Sequence, residues 1–361
     1  MKYITKDISQ QVLMIGVYYK RNAPGGMATV IKNYEEYIED LRYIYTWKLS
    51  NKFKKLIIAF FAYIKFFFIL LLDKKIKIVH IHGAAYASFT RKKYFIKIAK
   101  HFNKKVIYHM HGGEFMDFYS KNPNKKQILE IINTCCDLLI VLSQSWQDYF
   151  ESIGVPPQKI KLLNNCIPFP KEKSIPLACN ENKIVNLLFL GTLVKEKGIF
   201  DLLEVISENR DLFLDKIKLV IGGNKNEALI QEFIHERNLE HFVTFEGWIS
   251  GENKIKEYQK ADIFILPSYF EALPMVLLEA MSYRCAIIST KVGGIPDLIH
   301  NNVNGVLIEA GNHVELKEAL LYLLNNKTII EDYKNMGVDL VKPYYADSVF
   351  KELKQVYKNF L

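Results

Sequence analysis

Short apolar runs, separated by polar and glycine-containing turns, recur along the whole chain and predict buried β-strands. Between most of them lies a stretch long enough for a helix. This alternation is typical of parallel sheets covered by helices on both faces. The predicted strands are Val12–Tyr18, Tyr43–Trp47, Ile76–Ile81, Val106–Tyr108, Leu138–Ser143, Val185–Leu190, Leu219–Gly223, Phe242–Gly247, Asp262–Leu266, Cys285–Ser289 and Val306–Glu309.

Helix starts follow several of these runs. Met27–Ile31 opens a helix after the turn RNAPGG, and Pro274 precedes MVLLEAM at a predicted first helical position. Leu316–Leu324 and a closing helix near Val349–Leu361 complete the pattern. The chain is therefore predicted to be an α/β protein.

The most apolar segment, Leu56–Leu72, is 17 residues long and flanked by lysines. It lies between two predicted strands, where a parallel sheet needs a crossover helix, and we expect a buried crossover. An amphipathic helix at a membrane surface is the alternative, and a membrane span is a third. A span is disfavoured because Lys65 lies mid-segment, at a cost of about 3 kcal/mol.

With 361 residues and half of them hydrophobic, the chain is long enough for two globular domains. Its net charge of +9 is uneven: residues 1–170 hold 26 Lys and Arg against 12 Asp and Glu, and residues 171–361 hold 22 against 27. The basic first half favours an anionic partner such as acidic lipid, a pyrophosphate-linked acceptor or nucleic acid, or it reflects a lysine-rich composition alone. No nucleic-acid-binding module is recognisable, so no nucleic-acid partner is expected.

The five cysteines show no CxxC pairing, which favours reduced thiols over a disulfide framework or a zinc site. The N-terminal stretch MKYITKDISQQ lacks the apolar region of a secretory signal. A cytoplasmic protein is expected, positioned at the inner face of the cell membrane if the basic half contacts lipid.

Candidate chemistry concentrates in Ala261–Leu298, where a strand, a loop, a helix and a second strand form a βαβ unit. Ligands of such units bind beyond the carboxyl ends of the strands, beside a helix N-terminus that favours phosphate. Glu271 and Glu279 lie close to that helix start, and carboxylates accept hydrogen bonds from vicinal hydroxyls. A ligand with both sugar and phosphate, such as a nucleotide sugar, fits this combination.

Glu271 and Glu279, within PSYFEALPMVLLEAM and followed by STKVGGIPDLI, resemble the donor-site signature of retaining glycosyltransferases of family 4. The resemblance implies the GT-B fold: two facing Rossmann-like domains with a cleft between them and a C-terminal helix that crosses back to the first. We expect an acceptor domain at 1–170, a linker at 171–183, a donor domain at 184–340 and the returning helix at 341–361.

The resemblance also implies roles for individual residues. Glu271 and the backbone after it hold the sugar, Glu279 binds the ribose hydroxyls, and Lys197 contacts the diphosphate. Thr192 stands where the family commonly has Arg, so one cation is missing. The expected donor-binding residues are Gly25, Gly26, Thr192, Lys197, Ala272, Leu273, Met275, Val276 and Glu279, with Glu271 catalytic.

Two pairs of histidines close neighbouring predicted strands, in His80-Ile81-His82-Gly83 and His109-Met110-His111-Gly112. The resemblance places His111 near the reacting sugar as a second catalytic residue, and Glu114 in the same loop faces the acceptor or caps the loop. A metal centre is conceivable because imidazole is a common ligand. No third ligand is expected at a useful spacing, so no metal is predicted.

No Asp-x-Asp occurs, so the metal-bridging carboxylate pair of the other major glycosyltransferase fold is missing. The resemblance therefore implies a metal-independent enzyme without a cofactor, which transfers a sugar from a nucleoside-diphosphate sugar to a saccharide acceptor. We expect a lipid-linked acceptor, a role in surface-polysaccharide or glycan synthesis and peripheral contact with anionic membrane. The alternatives are a GT-B nucleotide-sugar epimerase and a non-catalytic scaffold with a decayed donor site.

Overall fold

The structure, a computed structural model, describes residues 1–20, 23, 25–170 and 184–361. The chain divides into two compact units. Unit 1 contains Met1–Pro168 together with Tyr344–Leu361, and unit 2 contains Phe169–Pro343. The expected linker, residues 171–183, lies outside the described residues.

Unit 1 is built on a six-stranded parallel sheet in the order β2-β1-β3-β4-β5-β6. The four inner strands are almost fully buried, which explains why their sequences are apolar on both faces, whereas the edge strands β2 and β6 are partly exposed. They are β1 (Val12–Gly16), β2 (Tyr43–Tyr45), β3 (Ile78–Gly83), β4 (Lys105–Met110), β5 (Leu138–Val141) and β6 (Ile160–Leu162).

Helices connect most of these strands, as parallel pairing requires. They are α1 (Lys6–Ser9), α2 (Gly26–Tyr37), α3 (Lys52–Leu72), α4 (Tyr86–His101), α5 (Phe115–Ser120), α6 (Lys125–Glu130) and α7 (Gln144–Ser152). The strand order changes direction between β1 and β3, so the loops after these two strands leave the sheet side by side.

The prediction of a crossover helix over Leu56–Leu72 is confirmed, because α3 connects β2 to β3. The expectation that it is buried is wrong. A single stripe packs against unit 1, formed by Ala59, Ala62, Phe66 and Leu70 at helical spacing. The physical reason is that its packing against other helices is concentrated on α4, where the Tyr63 ring stacks on Phe95 and the Phe66 ring lies tilted against the same Phe95.

Unit 2 contains a second six-stranded parallel sheet, in the order β12-β11-β10-β7-β8-β9. This order is that of a doubly wound dinucleotide-binding fold, with the direction change between β7 and β10. The strands are β7 (Val185–Thr192), β8 (Ile217–Asn224), β9 (Val243–Phe245), β10 (Ile263–Leu266), β11 (Ala286–Thr290) and β12 (Gly305–Ile308).

The helices of unit 2 cover both faces of this sheet. They are α8 (Ile199–Glu208), α9 (Arg210–Phe213), α10 (Glu227–Glu236), α11 (Gly251–Lys260), α12 (Met275–Ser282), α13 (Ile295–Leu298), α14 (His313–Asn325) and α15 (Lys327–Leu340). The α/β prediction with two Rossmann-like domains is thus confirmed.

The last helix, α16 (Ala346–Lys358), returns to unit 1, as the resemblance implies. Its entry is fixed by a parallel bridge between Ile167 and Tyr345. Phe350 of α16 packs on Tyr34 and Tyr37 of α2, with ring centroids 5.0 and 5.3 Å apart. The C-terminus therefore contributes to the core of the first sheet.

Candidate functional site

The carboxyl ends of β7 and β10 define the point where ligands bind in open α/β sheets, because the crossovers leave in opposite directions there. A short helical turn, Lys195–Lys197, follows β7. The loop after β10 carries Glu271 and leads into α12. The structure thus brings Lys197 and Glu271 together at the switch point of the second sheet.

Glu271 is held by two donors. Its Oε1 atom pairs with the Lys197 ammonium and accepts a hydrogen bond of 3.0 Å from Ser268 Oγ. Its side chain is 10% exposed, and its Oε2 atom has no protein partner among the described residues. One oxygen is fixed, so the other is presented in a defined orientation to a ligand.

The backbone around Glu271 is tied to both neighbouring loops. Tyr269 N–H donates to the Glu196 carbonyl at 2.9 Å, and Gly294 N–H donates to the Ala272 carbonyl at 2.8 Å. Gly293 has a φ of +54°, and a Cβ there would lie 1.7 Å from the carbonyl oxygen of Glu271. The Gly-Gly pair of the sequence therefore lets the chain pass directly beside the candidate catalytic residue.

Helix α12 starts at this loop, with Pro274 as its N-cap in an extended conformation. Ala272, Leu273 and Met275 are buried and Val276 is half-buried. The first-turn N–H groups of α12 supply the partial positive charge that favours a phosphate. The predicted helix start is confirmed, with Pro274 one position earlier than expected.

Glu279 lies one turn into α12 and is also held through one oxygen. Its Oε2 atom accepts hydrogen bonds from Lys254 Nζ at 2.5 Å and from Tyr258 OH at 2.9 Å. Burial, reinforced by the Glu279 carboxylate, keeps the pKa of Tyr258 well above its ordinary value, so this hydroxyl stays a donor. The Oε1 atom of Glu279 has no protein partner among the described residues and is available to a ligand.

Lys254 and Tyr258 were missed by the sequence analysis. They are four residues apart in α11, so they lie on one face of that helix. This spacing could have indicated from the sequence that both side chains contact the same partner. Thr192 ends β7 and is half-buried, so its hydroxyl, and not an arginine, stands at this position of the strand end. Lys197 is the cation that the structure places against Glu271.

In unit 1, Gly25 and Gly26 lie at the start of α2, after β1. Gly25 has a φ of +111°, and a Cβ at either glycine would meet nothing within 4 Å. The backbone is therefore open to close approach by a ligand at this helix N-terminus. Residues 21, 22 and 24 of the same turn lie outside the described part of the chain.

The four histidines of unit 1 form one stacked cluster. The parallel register sets His82 opposite His109, so the side chains of His80, His82, His109 and His111 share one face of the sheet. His82 Nδ1 lies 2.8 Å from His111 Nε2, and His80 Nε2 lies 3.3 Å from His109 Nδ1. The hydroxyl of Tyr357 in α16 lies 2.6 Å from His80 Nδ1.

The expectation that no third metal ligand lies near these histidines is wrong, because pairing of parallel strands brings residues 29 positions apart together. His80, His82 and His109 offer nitrogens within 4.8 Å of one another, as do the ligand atoms of Asp201, Glu204 and His313 in unit 2. In the histidine cluster, several of these nitrogens already bond to a neighbouring ring or to Tyr357. A metal-independent protein stays the prediction.

Burial keeps the histidine cluster neutral. Burial lowers the pKa of His80 to about 3 and those of His82 and His109 well below their usual range. Burial of its ring also lowers the pKa of His111 to about 3. His111 is thus positioned at the carboxyl edge of the first sheet as a neutral hydrogen-bonding group.

Glu114 is exposed and occupies the position before α5, where its side chain makes no capping hydrogen bond to the helix. It follows His111 by three residues, so both lie in the loop after β4. An acceptor contact for Glu114 stays a prediction.

Two protein-family models match the chain. Residues 25–169 match the model described as glycosyltransferase family 4, and residues 172–338 match that of the group 1 glycosyl transferases. The two matches correspond to the two units and together span most of the chain.

Curated relatives come from archaea and bacteria. A glycosyltransferase of Methanocaldococcus jannaschii, itself uncharacterised, is 26% identical over 263 residues, 68% of this chain and 66% of the relative. A protein of Campylobacter jejuni, named GalNAc-alpha-(1->4)-GalNAc-alpha-(1->3)-diNAcBac-PP-undecaprenol alpha-1,4-N-acetyl-D-galactosaminyltransferase, is 29% identical over 219 residues, 60% of this chain and 58% of the relative. Across four relatives the match covers between 47% and 80% of the relative's own length.

Among solved structures, HepE of Anabaena in complex with UDP-glucose aligns with a TM-score of 0.74. The alignment covers 97% of this chain and 99% of HepE at 14% sequence identity, so it bears on the fold alone. The family matches and this structural likeness agree with the two sheets and the donor-site signature described above. The chain therefore belongs to the family 4 glycosyltransferases and has the GT-B fold.

Proposed function

We propose that this protein is a retaining, metal-independent glycosyltransferase that moves a sugar from a nucleoside-diphosphate sugar to a hydroxyl of a saccharide acceptor. The observation that carries the proposal is the arrangement of Glu271 and Glu279 in unit 2. Each has one oxygen held by a lysine and a hydroxyl and the other oxygen without a protein partner among the described residues. Such carboxylates are suited to accept hydrogen bonds from sugar hydroxyls.

In this proposal Glu279 binds the ribose, and Glu271 with the backbone of Ala272 and Leu273 holds the transferred sugar. The leaving diphosphate is stabilised in unit 2 by Lys197 and the α12 N-terminus near Met275 and Val276. Gly25 and Gly26 are proposed as donor-binding residues on the family resemblance alone. Catalysis then rests on positioning and on stabilising the charge that develops on the leaving group, without a protein nucleophile. His111 contacts hydroxyls of the reacting sugar.

Metal independence is proposed because this chain supplies positive charge of its own. In this proposal the Lys197 ammonium and the helix dipole of α12 neutralise the charge that a metal bound by Asp-x-Asp neutralises in another glycosyltransferase fold, and this chain lacks that sequence. Thr192 adds a hydroxyl donor but no charge. Transfer should therefore persist in the presence of a chelator.

UDP-sugars are the first donors to examine, because the structural neighbour HepE was crystallised with UDP-glucose. A lipid-linked saccharide is the proposed acceptor, because the name of the Campylobacter relative specifies an undecaprenol diphosphate-linked saccharide. These features support a cytoplasmic enzyme of polysaccharide or glycan synthesis that works at the inner face of the cell membrane.

Peripheral contact with an anionic membrane is proposed for α3. Among the described residues, α3 alone is long and apolar enough to cross a membrane, with a mean hydropathy of 2.3 over its most apolar stretch, 22% of which is buried. Since its packed stripe is anchored on α4, we propose that it lies on the surface of the bilayer rather than across it. Its outward face combines apolar side chains with Lys65, and Lys52, Lys54, Lys74 and Lys75 are exposed at its two ends.

The donor proposal is tested by titrating the purified protein with a panel of nucleoside diphosphates and their sugars, using calorimetry. Glu279→Ala should weaken binding of the best donor at least about tenfold, the usual effect of losing hydrogen bonds to a charged group. Glu318→Ala, an exposed glutamate on α14, is the matched control and should leave donor affinity unchanged. Equal donor affinity in Glu279→Ala and the unaltered protein would refute the assignment.

Product analysis separates the alternatives. Sugar transfer to a saccharide acceptor, with the anomeric configuration of the donor kept, supports the proposal. Conversion of the donor without an acceptor would indicate a GT-B epimerase. Failure to bind any nucleotide sugar would indicate a scaffold with a decayed site, the reading that Thr192 favours.

A further inference from the structure

The pair formed by His82 and His111 carries an inference about how the site in unit 1 works. His82 is fully buried at the end of β3, and its Nδ1 atom lies 2.8 Å from Nε2 of the half-buried His111. The His111 backbone N–H donates to the Gly83 carbonyl at 2.8 Å, which fixes the ring beside its neighbour. Nδ1 of His111 makes no hydrogen bond to any described residue, and this atom is not buried.

Both rings are neutral, because burial lowers both pKa values far below 7. A hydrogen bond between two neutral imidazoles needs one proton between them, carried by one ring or by the other. In the first arrangement His82 Nδ1–H donates to His111 Nε2. In the second, His111 Nε2–H donates to His82 Nδ1.

The surroundings of His82 distinguish these arrangements. Its Nε2 atom is buried and lacks a hydrogen-bond partner among the described residues. The second arrangement would place the only N–H of His82 on that atom and leave a buried donor unpaired. The first leaves only a ring lone pair unpaired, and orphaned buried N–H groups are the rarer defect in native structures.

We propose that His82 is a positioning residue that fixes His111 as the Nδ1–H tautomer, so that His111 presents a hydrogen-bond donor to the sugar. The inference rests on the proposed function for its consequence, because it assigns His111 the role of donating to a hydroxyl oxygen and excludes a role as proton acceptor. The tautomer itself depends only on the contacts within unit 1.

The neighbouring pair, His80 and His109, offers the same choice of proton positions. His109 Nε2 is also buried without a partner among the described residues, and its Nδ1 lies 3.3 Å from His80 Nε2. Placing the His109 proton on Nδ1 lets it donate to His80, whose own proton then faces the Tyr357 oxygen at 2.6 Å. This arrangement pairs both ring N–H groups but leaves the buried Tyr357 O–H without an acceptor among the described residues, so the contacts of this pair assign no tautomer and the proposal rests on His82 and His111 alone.

The test is the tautomer of His111, read by long-range proton–nitrogen correlation spectra of protein labelled with nitrogen-15 in histidine. Comparison with His111→Gln, which lacks one set of signals, assigns the ring. The expected result is a protonated Nδ1 and an unprotonated Nε2 in the unaltered protein. The Nε2–H form in the unaltered protein would overturn the proposal.

Two substitutions of His82 extend the test. His82→Asn keeps an N–H near the position of Nδ1 and should retain the His111 tautomer, whereas His82→Leu removes the donor and should release His111 to the Nε2–H form. Transfer by His82→Leu should fall about tenfold in kcat/KM, as for one lost hydrogen bond, and His82→Asn should restore most of it. An unchanged tautomer in His82→Leu would refute the role of His82, and if that variant does not fold, the spectrum of the unaltered protein still decides.

The outcome is separable from that of the proposed function. The expected tautomer in a protein that transfers no sugar would remove the function and leave the positioning role of His82 in place. Sugar transfer by a protein whose His111 carries its proton on Nε2 would remove the positioning role of His82 and leave the proposed function in place.

Discussion

Single backbone positions determine how the candidate donor site of unit 2 is held. Gly293 has a φ of +54°, and a methyl group there would lie 1.7 Å from the Glu271 carbonyl oxygen. Gly251, at the start of α11, has a similar φ of +59° but open space around it. A side chain at either position would strain the backbone, but only a side chain at position 293 would also collide with the site.

We predict that Gly293→Ala disrupts donor binding and Gly251→Ala does not. Both substitutions place alanine in a left-handed conformation, which costs about 1 kcal/mol each. Only Gly293→Ala also forces the loop carrying Glu271 to move, so its melting temperature and donor affinity should both fall further, as measured by calorimetry. Equal losses of stability and affinity in the two variants would contradict this account.

At the residue scale, site residues could be identified from the sequence where they stand within a stretch that resembles a family signature. Glu271 and Glu279 stand in a specific string, whereas their partner Lys254 belongs to an ordinary polar helix whose packing the sequence does not reveal. The proximity of His82 and His109 depends on strand register, which is a property of the folded sheet. Site residues in one segment were therefore predictable, and contacts between segments were not.

At the scale of elements, α3 packs little of its apolar surface against the rest of unit 1. Phe53, Phe60 and Phe61 are 72%, 61% and 62% exposed, and Leu72 is 76% exposed. A continuous apolar helix face of this kind is typical of an interaction surface. The exposed lysines at both ends favour an anionic lipid surface as the partner, at about 1 kcal/mol per cation.

We predict that the protein sediments with vesicles of mixed phosphatidylglycerol and phosphatidylcholine, and much less with phosphatidylcholine alone. The double substitution Phe60→Ser and Phe61→Ser should lower vesicle binding at least about tenfold, because two aromatic side chains no longer enter the bilayer. Leu229→Ser, at a 47% exposed leucine on α10, is the matched control and should bind as before.

Undiminished binding of the double variant would refute the role of α3. Equal binding to both kinds of vesicle would refute the role of its lysines. Loss of a dimer on substitution, seen by light scattering without any vesicle binding, would instead assign this face to a second copy of the chain.

The positions of strands and helices were predicted better from the sequence than the degree to which each element is buried. Most strands were found because burial on both faces produces uninterrupted apolar runs, and their ends differ from the structure by at most two residues. The short strand β6 was missed because it lacks such a run. The burial of α3 was predicted wrongly because an apolar composition is shared by core helices and membrane-surface helices. Only the neighbours of a helix distinguish the two.

At the scale of the whole molecule, both ends of the chain build the first sheet unit. Residues 1–168 supply the sheet, and α16 from residues 346–358 closes over it. The two units and the returning helix could be expected from the family resemblance, while the order of the strands follows from crossovers that leave no local mark on the sequence. The cluster of buried histidines lies where these distant segments meet.

This arrangement makes the stability of unit 1 dependent on pH. The pKa values of His80, His82 and His109 are lowered by burial in the folded protein, whereas unfolded histidine titrates near about 6.5. Below that pH the unfolded chain binds more protons than the folded one, so the free energy of unfolding falls as the pH falls. The expected loss is about 1.4 kcal/mol per buried histidine between about pH 7.5 and about pH 5.5.

We predict that the urea midpoint of unit 1 falls markedly over this pH interval. Trp248→Phe removes the tryptophan of unit 2, so that fluorescence reports Trp47 and the buried Trp146 of unit 1. In this background His80→Gln should weaken the pH dependence, because one buried titrating group is removed. His101→Gln, at an exposed histidine of the same unit, should leave the dependence unchanged. A midpoint that stays constant over this interval, or an equal change from both substitutions, would show that the cluster does not control the acid stability of this unit.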